Sequence, residues 1–296
     1  MPALVLDGPM GTELAARGVP TPLPGWSAHA VHENPDAVRA IHAEYARAGA
    51  RVHTACTFRT TQRAIGDYWK TLAHDAVRLA RQGAIQGSPA DAPPPIIAGS
   101  IAPLKDCYRP DLSPARTDPD TARFEHAALA RALVETGCDL LLVETFPHVG
   151  ELVIAVEEAA QASKAGHDGE AANDAMPVWA SLTPGYLCDL LSPSELATGA
   201  ARAIDAGAAA VLVNCVPATR ALEYVQALVG VAKDTPVGVY ANAGSAQHSM
   251  GWTTVPIAAE RYADLAADWL QAGASIVGGC CGTSPTHIAQ LARRFA

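Results

Sequence analysis

Eight short apolar segments recur along this chain at intervals of about 39 residues, which leaves room for a strand, a helix and two loops in each interval. Most of the segments are continuously apolar, as is typical of parallel strands that are buried on both faces. They are Leu4–Asp7, Arg51–Cys56, Ile96–Ser100, Leu140–Glu144, Val178–Leu182, Ala210–Asn214, Val237–Tyr240 and Ser275–Val277. The repetition predicts an α/β fold built from eight strand–helix units.

Eight such units favour a single closed (β/α)8 TIM barrel, a fold that typically takes about 250 residues. The length of 296 residues also allows two domains, but we predict one domain over residues 1–296. An open doubly wound sheet is the alternative. That fold usually begins with a glycine-rich turn, and Gly8-Pro9-Met10-Gly11 lacks the spacing G-x-G-x-x-G.

Long connections rich in proline and glycine follow the first, third, fifth and seventh predicted strands. They are Gly18–Ala30, Ala102–Thr117, Pro184–Leu191 and Ala241–Val255. In a barrel, the loops that follow the strands build the face that carries the active site. We therefore expect these four loops to surround the functional site.

Three cysteines come directly after predicted strands. Cys215 follows the sixth strand, and Cys280 and Cys281 follow the eighth. Neighbouring side chains of a regular strand point to opposite faces, so adjacent cysteines can face one target only where the strand breaks into a turn. The glycines on both sides permit that turn. Three thiolates with one open position form the ligand set of a catalytic zinc site; a vicinal disulfide or simple apolar packing are the alternatives.

Other polar residues stand where the predicted strands end. Asp7 ends the first strand, Glu144 the fourth and Asn214 the sixth, and Asn242 follows the seventh. In a barrel these side chains point into one mouth. An isolated buried carboxylate is commonly a salt-bridge partner. Two carboxylates that face three cysteines could instead hold the ammonium group of an amino acid, while backbone amides of the Asp7–Gly11 turn take its carboxylate.

The composition excludes several classes of partner. The formal net charge is −9, and the chain has no cluster of lysine and arginine, so we expect no nucleic-acid partner. We also expect no membrane association, because no run approaches about 18 apolar residues. The first residues lack the charged start of a signal peptide, and the seven cysteines lack the spacing of a disulfide framework. We therefore predict a cytoplasmic protein.

Four motifs together resemble the homocysteine S-methyltransferase family over essentially the whole chain. They are Asp7-Gly8-Pro9-Met10-Gly11-Thr12-Glu13-Leu14, Glu144-Thr145, Val213-Asn214-Cys215 and Gly278-Gly279-Cys280-Cys281-Gly282-Thr283-Ser284-Pro285. The family includes betaine-dependent and S-methylmethionine-dependent enzymes and the homocysteine domain of cobalamin-dependent methionine synthase. The resemblance implies that Zn²⁺ is bound by Cys215, Cys280 and Cys281, which would be the catalytic residues.

The same resemblance implies how substrate is bound. Asp7, Gly8 and Glu144 would hold the amino-acid end of homocysteine, and Trp26 matches an aromatic position at the mouth of the pocket. Asn214 and Asn242 complete the predicted substrate site. The remaining cysteines, Cys56, Cys107, Cys138 and Cys188, are expected to be packing residues.

Departures from the family pattern bear on the methyl donor. Arg59 and Thr145 stand where betaine-using relatives carry tyrosines, and Ala241-Asn242-Ala243-Gly244 replaces a turn that begins with proline. The loss of two aromatic residues disfavours a quaternary ammonium donor. Gly282 matches the cobalamin-linked and betaine-linked form, but the chain contains no cobalamin or folate module. We therefore expect a methylsulfonium donor, with S-methylmethionine as the first choice.

The predicted function is zinc-dependent transfer of a methyl group from that donor to the thiol of L-homocysteine, which gives methionine. Betaine or another methylammonium donor, and a non-catalytic barrel that binds zinc or thiols, are the alternatives. A lyase or aldolase would need a Schiff-base lysine, and none of the four lysines lies within a predicted strand. The expected partners are small-molecule substrates, and the expected state is a monomer or a small homo-oligomer.

Overall fold

The computed structural model describes residues 2–166, 175–243 and 256–296. The eight predicted strands are all present, and every paired neighbour runs parallel. They are β1 Leu4–Val5, β2 Val52–Thr54, β3 Ile96–Ile101, β4 Leu140–Phe146, β5 Val178–Leu182, β6 Ala210–Pro217, β7 Val237–Asn242 and β8 Ile276–Gly279.

The strands close into a barrel. Their order in the sheet is β1-β8-β7-β6-β5-β4-β3-β2, so β1 and β2 lie at its two edges. A parallel bridge between Leu6 and Val52 joins those edges, and the Asp7 amide donates a hydrogen bond of 2.9 Å to the Val52 carbonyl. The predicted (β/α)8 barrel is confirmed, and the alternative of an open doubly wound sheet is wrong.

Helices separate the strands and pack around the sheet. They are α1 Met10–Ala16, α2 Ala28–Glu33, α3 Pro35–Arg47, α4 Gln62–Ile65, α5 Trp69–Gly87, α6 Pro119–Glu135, α7 Val149–Ala165, α8 Pro193–Asp205, α9 Ala221–Ala232, α10 Pro256–Gln271 and α11 Pro285–Phe295. At the start of α8, the Ser192 side chain accepts from the Glu195 amide and the Glu195 side chain accepts from the Ser192 amide. This capping box satisfies backbone N–H groups that the first turn of the helix leaves unpaired, and so stabilises the start of α8. None of the described helices is long and apolar enough to cross a membrane.

Alternation along the strands divides the core into two layers. On β4, Leu140 and Leu142 belong to a cluster inside the barrel, whereas Leu141 and Val143 belong to the larger cluster between sheet and helices. This is the expected alternation of a barrel strand. Cys215 and Cys280 belong to the inner cluster. The thiols therefore lie above a packed apolar floor.

Five strands, β3, β4, β6, β7 and β8, run one to three residues further than the sequence predicts, and β4 and β6 also contain an irregularity in their pairing. β4 was expected to end at Glu144 and β6 at Asn214, but they continue to Phe146 and Pro217. In both strands the pairing register shifts near the predicted end, between Val143 and Phe146 and between Asn214 and Pro217. The predicted ends are wrong because a bulge leaves residues unpaired and the ladder then resumes. These bulges lie at the site described below.

Three of the four loops expected around the site do line one cavity, through Leu23, Tyr108 and Tyr186 among others. For the fourth loop, Ala241–Val255, residues 244–255 lie outside the described part of the chain. The prediction that the long loops following the strands surround the site is confirmed for the described loops.

The inner apolar layer makes a testable contribution to stability. Leu142 is fully buried inside the barrel, so Leu142→Ala should lower the free energy of unfolding by about 2–5 kcal/mol through lost burial and the cavity left behind. Leu187→Ala is the matched control, because Leu187 is 66% exposed and its truncation should cost under about 0.5 kcal/mol. Urea unfolding measures both. Equal destabilisation by the two variants would contradict this division of the core.

Candidate thiol and carboxylate site

A cavity of about 970 Å³ opens at the carboxyl ends of the strands. All of the predicted site residues except Asn242 line it: Asp7, Gly8, Trp26, Glu144, Asn214, Cys215, Cys280 and Cys281. The barrel thus brings together residues within its fourth and sixth strands, residues directly after its eighth strand, and residues of the connection after β1. Asn242 is buried at the end of β7, and its side-chain amide has no hydrogen-bond partner among the described residues.

The three thiols of the cavity converge. The sulfur atoms of Cys215, Cys280 and Cys281 all lie within 4.8 Å of one another, and the Sγ atoms of Cys215 and Cys280 are 2.9 Å apart. All seven cysteines of the chain are free, so Cys280 and Cys281 form no vicinal disulfide. The group is a three-sulfur donor set beside a substrate-sized cavity.

A turn directly after β8 places the two adjacent cysteines. Gly282 has a φ of 79°, a left-handed angle that glycine adopts without strain. Gly278, within β8, has another purpose, because a Cβ atom there would lie 2.6 Å from the Cβ of Leu6. The expectation that glycines on both sides make the turn is therefore right only for Gly282. Gly278 allows β8 to approach β1 closely.

The bulge in β6 places the third thiol. Cys215 has a φ of 53°, and Thr145 in the bulge of β4 has a φ of 64°, both in the left-handed region that disfavours residues with a Cβ atom. Asn214 connects the two bulges. Its Nδ2 donates to Thr145 Oγ1 at 2.7 Å, and its Oδ1 accepts from Ser181 Oγ at 2.8 Å. These two hydrogen bonds fix the Asn214 side chain, which in turn helps to hold the strained residues Thr145 and Cys215 in place.

The two carboxyl groups of the site, those of Asp7 and Glu144, are buried and line the cavity. Ser100 Oγ and Tyr240 Oη donate hydrogen bonds of 2.5 and 2.9 Å to the two oxygens of Glu144. Burial raises the pKa of Glu144 to about 7, although both hydrogen bonds act in the opposite direction. Burial also raises the pKa of Asp7 well above its usual range, against the hydrogen bond from the Thr54 amide and with a further contribution from Glu144. A cation between the two carboxylates would restore their ionised forms.

A cation would also favour the ionised forms of the three thiols. Hydrogen bonds with Cys215 and Cys281 lower the pKa of Cys280, whereas the contact with Cys280 raises the pKa of Cys215. One proton therefore leaves the group readily, and the remaining protons are held. A divalent cation would deprotonate all three thiols. With Zn–S bonds of about 2.3 Å, sulfurs of a tetrahedral site are roughly 3.8 Å apart, so a shift of roughly 1 Å at the Cys215–Cys280 contact would admit the ion.

Close packing constrains the residues at the end of β1. A Cβ atom on Gly8 would lie 2.5 Å from Tyr45 Oη, and one on Gly11 would lie 2.1 Å from Cζ2 of Trp26. Trp26 is half-buried and has a φ of 49°. Both glycines therefore allow aromatic rings to lie against the backbone of the Asp7–Gly11 turn, which keeps that turn at the cavity wall.

Besides the predicted Trp26, three aromatic residues line the cavity that the sequence did not indicate: Phe58, Tyr108 and Tyr186. Trp26 packs edge-on against Phe58 at 5.7 Å, and Tyr108 packs edge-on against Tyr186 at 5.2 Å. Tyr108 packs against the inner cluster that contains Cys215 and Cys280, and charge on Cys215, together with burial, raises the pKa of Tyr108. The only sequence signal was that both tyrosines occur in long loops expected on this face. Arg59, noted as a departure, also lines the cavity and lies 5.5 Å over the Phe58 ring.

Comparison with known proteins identifies the family to which the chain belongs. A family model described as homocysteine S-methyltransferase matches residues 4–295. The homocysteine S-methyltransferase of Escherichia coli (strain K12) is 30% identical over 98% of this chain and 94% of its own length. Betaine–homocysteine S-methyltransferase 1 of Rattus norvegicus is 27% identical over 92% of this chain and 67% of its own length.

A solved structure shows the same architecture. The metallated form of the homocysteine methyltransferase MmuM from Escherichia coli has a TM-score of 0.75 and 28% identity, and the match covers 99% of this chain and 96% of that one. The fold, the motifs and the nearly complete coverage agree. The chain belongs to the homocysteine S-methyltransferase family.

Proposed function

We propose that residues 1–296 act as one catalytic domain that transfers a methyl group from a methylsulfonium donor, S-methylmethionine first, to the thiol of homocysteine, with Zn²⁺ held by three cysteines. The observation that carries this proposal is the convergence of the Cys215, Cys280 and Cys281 sulfurs within 4.8 Å in a cavity that also holds two buried carboxylates. Family membership supports homocysteine as the methyl acceptor.

The three-sulfur donor set suits zinc. Thiolates are soft ligands that select zinc over hard cations, and three protein ligands leave one position open, as in catalytic zinc sites. Zinc bound there would keep the homocysteine sulfur as a thiolate, the nucleophilic form of the group. Asn214 and Thr145 serve this donor set indirectly, because their hydrogen bond holds the backbone of Cys215 in its strained conformation.

The carboxylates orient the acceptor. Glu144 is fixed by Ser100 and Tyr240, so its position does not depend on substrate. An ammonium group bound between Glu144 and Asp7 would supply the positive charge that these buried acids lack. Backbone amides at Gly8 are proposed to bind the carboxylate of the amino acid, and Trp26 to cover it. Fixing the amino-acid end in this way would hold the thiol beside the three cysteines, which lowers the entropic cost of the reaction.

The charge of the site favours a cationic donor. The thiols and carboxylates provide negative charge, and transfer from a sulfonium releases a neutral thioether, so the positive charge of the donor disappears in the reaction. Four aromatic rings, those of Trp26, Phe58, Tyr108 and Tyr186, line the cavity and could surround either a sulfonium or a quaternary ammonium. The absence of tyrosine at positions 59 and 145 therefore does not exclude betaine. We prefer a sulfonium because the thioether that it releases is a better leaving group than the tertiary amine that a quaternary ammonium releases.

Metal content tests the proposed ligands. Cys215→Ser, Cys280→Ser and Cys281→Ser should each lower the zinc that remains after loading and dialysis by about one equivalent per chain, because three thiolates are required. Cys138→Ser is the matched control, since Cys138 is a buried cysteine of the outer core. Elemental analysis gives the readout. Retention of wild-type zinc by the variants of Cys280 and Cys281 would overturn the assignment.

Acceptor binding tests the proposed role of Glu144. Glu144→Gln should keep zinc but weaken homocysteine binding by roughly 30-fold or more, which corresponds to about 2–5 kcal/mol for a buried charge pair that loses one partner. Glu33→Gln provides the control, because Glu33 is an exposed residue at the end of α2. Isothermal titration calorimetry measures both affinities. An unchanged affinity in Glu144→Gln would leave Glu144 a purely structural residue.

A donor panel tests the reaction. Homocysteine is incubated separately with S-methylmethionine, a dimethylsulfonium compound, betaine and methyltetrahydrofolate, and methionine is measured by mass spectrometry. We expect the sulfonium donors to react fastest, and Cys280→Ser to give no product with any donor. If betaine alone supports methionine formation, the donor assignment is wrong although the role of the thiols stands.

A further inference from the structure

A second cluster of metal-binding side chains lies behind the cavity wall. Asp7 follows β1, His53 lies on β2 and His42 lies on α3. One ligand atom from each of these residues lies within 4.8 Å of the other two, and His42 Nδ1 is 3.8 Å from Asp7 Oδ2. The two histidines are fully buried, and Asp7 is 5% exposed. The cluster shares no residue with the three-cysteine group.

None of the four ring nitrogens of the two histidines makes a hydrogen bond of normal geometry among the described residues, although a weaker interaction with the Ala50 backbone acts against the lowering of the His53 pKa. The separation of His42 and Asp7 is too long for a direct hydrogen bond, and the two imidazole rings meet edge to face at 6.0 Å. A buried polar group without a partner typically costs about 1–3 kcal/mol. An apolar ring would fill the same space without that cost, so packing alone does not account for two histidines beside a buried carboxylate.

The protonation states suit metal binding. Burial lowers the pKa of His42 to about 3 and that of His53 to about 4, so both rings are neutral at neutral pH and each has a free lone pair. Asp7 contributes a carboxylate oxygen. Metal–ligand bonds of about 2.1 Å place donor atoms roughly 3–3.5 Å apart. The observed 3.8 Å between His42 Nδ1 and Asp7 Oδ2 would therefore have to shorten by only a few tenths of an ångström.

We propose that Asp7, His42 and His53 form a second metal site, which takes a divalent transition-metal ion such as zinc, iron(II) or cobalt(II). Two imidazole nitrogens and one carboxylate oxygen favour these ions over magnesium and calcium, which prefer oxygen ligands. The three-cysteine group offers only sulfur. The chain would then hold two metal sites that differ in donor type.

Asp7 would connect the second site to the cavity. Its Oδ2 faces His42 and accepts from the Thr54 amide, while the residue also lines the cavity. A cation on the Oδ2 side would offset the cost of burying the carboxylate charge, so that Asp7 could act on a ligand in the cavity while ionised. Metal binding by these three residues does not require the proposed methyl transfer, and it can be measured without it.

The test uses cobalt(II), whose absorption reports its ligands, in a Cys280→Ser/Cys281→Ser background that lacks the three-thiolate set. We expect about one equivalent of cobalt to bind in this background without a thiolate charge-transfer band. Adding His42→Asn or His53→Asn should weaken binding by roughly 100-fold or more, since loss of an outer-shell partner alone costs 10–100-fold. His74→Asn on the exposed face of α5 should bind cobalt as the background does.

Two results would overturn the second site. One is an absence of bound cobalt in the thiol-deficient background, which would point to a buried water between the histidines. The other is full cobalt binding by the His42→Asn and His53→Asn proteins. Wild-type protein gives a second measurement that does not depend on the cysteine substitutions. It should bind a second equivalent of cobalt that adds no thiolate band, so misfolding of the background could not by itself explain the result. Loss of methyltransferase activity would not by itself decide the matter.

Discussion

The burial of acidic groups away from water determines the electrostatics of this cavity. Asp7, Glu144 and three thiols lie together at the end of an apolar barrel, where a negative charge loses most of its solvation. Burial raises the pKa values of both carboxyl groups. Among the three thiols, Cys280 has a lowered pKa and loses its proton more easily than the other two. Every proposed ligand of the cavity supplies what is missing, because a zinc ion, an ammonium group and a sulfonium group are all cations. Charge balance is thus the feature that the metal, the acceptor and the donor have in common.

The barrel places these groups by accepting local strain. Cys215 and Thr145 occupy left-handed backbone conformations in neighbouring bulges, and Asn214 ties them together through its amide. Such conformations cost on the order of 1–3 kcal/mol each and persist only where the surroundings enforce them. Here the surroundings are the continuing parallel ladder on both sides of each bulge. A large, closed barrel can meet this cost, and Thr145 and Cys215, the two strained residues, both line the cavity.

The sequence was sufficient to predict the barrel and the convergence of the cysteines. Continuous apolar segments identify buried parallel strands, and in a barrel the residues after such strands meet at one mouth, so Cys215 and Cys280 could be placed together without coordinates. The bulges could not be predicted, because a strand that changes register looks in sequence like a strand that ends. For that reason β6 was expected to stop at Asn214.

Contacts between distant elements were also beyond the sequence. Tyr108 and Tyr186 belong to separate loops whose conformations depend on tertiary packing, and nothing in their local sequence indicates that the rings touch. His42 lies on the buried face of α3, and His53 lies within β2, so each reads locally as a core residue. Only closure of the barrel between β1 and β2 brings both beside Asp7. Features that depend on such closure require the three-dimensional structure.

X-ray absorption at the zinc edge tests the central claim most directly, because it counts the sulfur atoms around the metal. Protein loaded with one equivalent of zinc, without homocysteine, should show three sulfur neighbours at about 2.3 Å and one lighter atom. A first shell made only of nitrogen and oxygen would contradict the account, since it would mean that Cys215, Cys280 and Cys281 do not hold the metal.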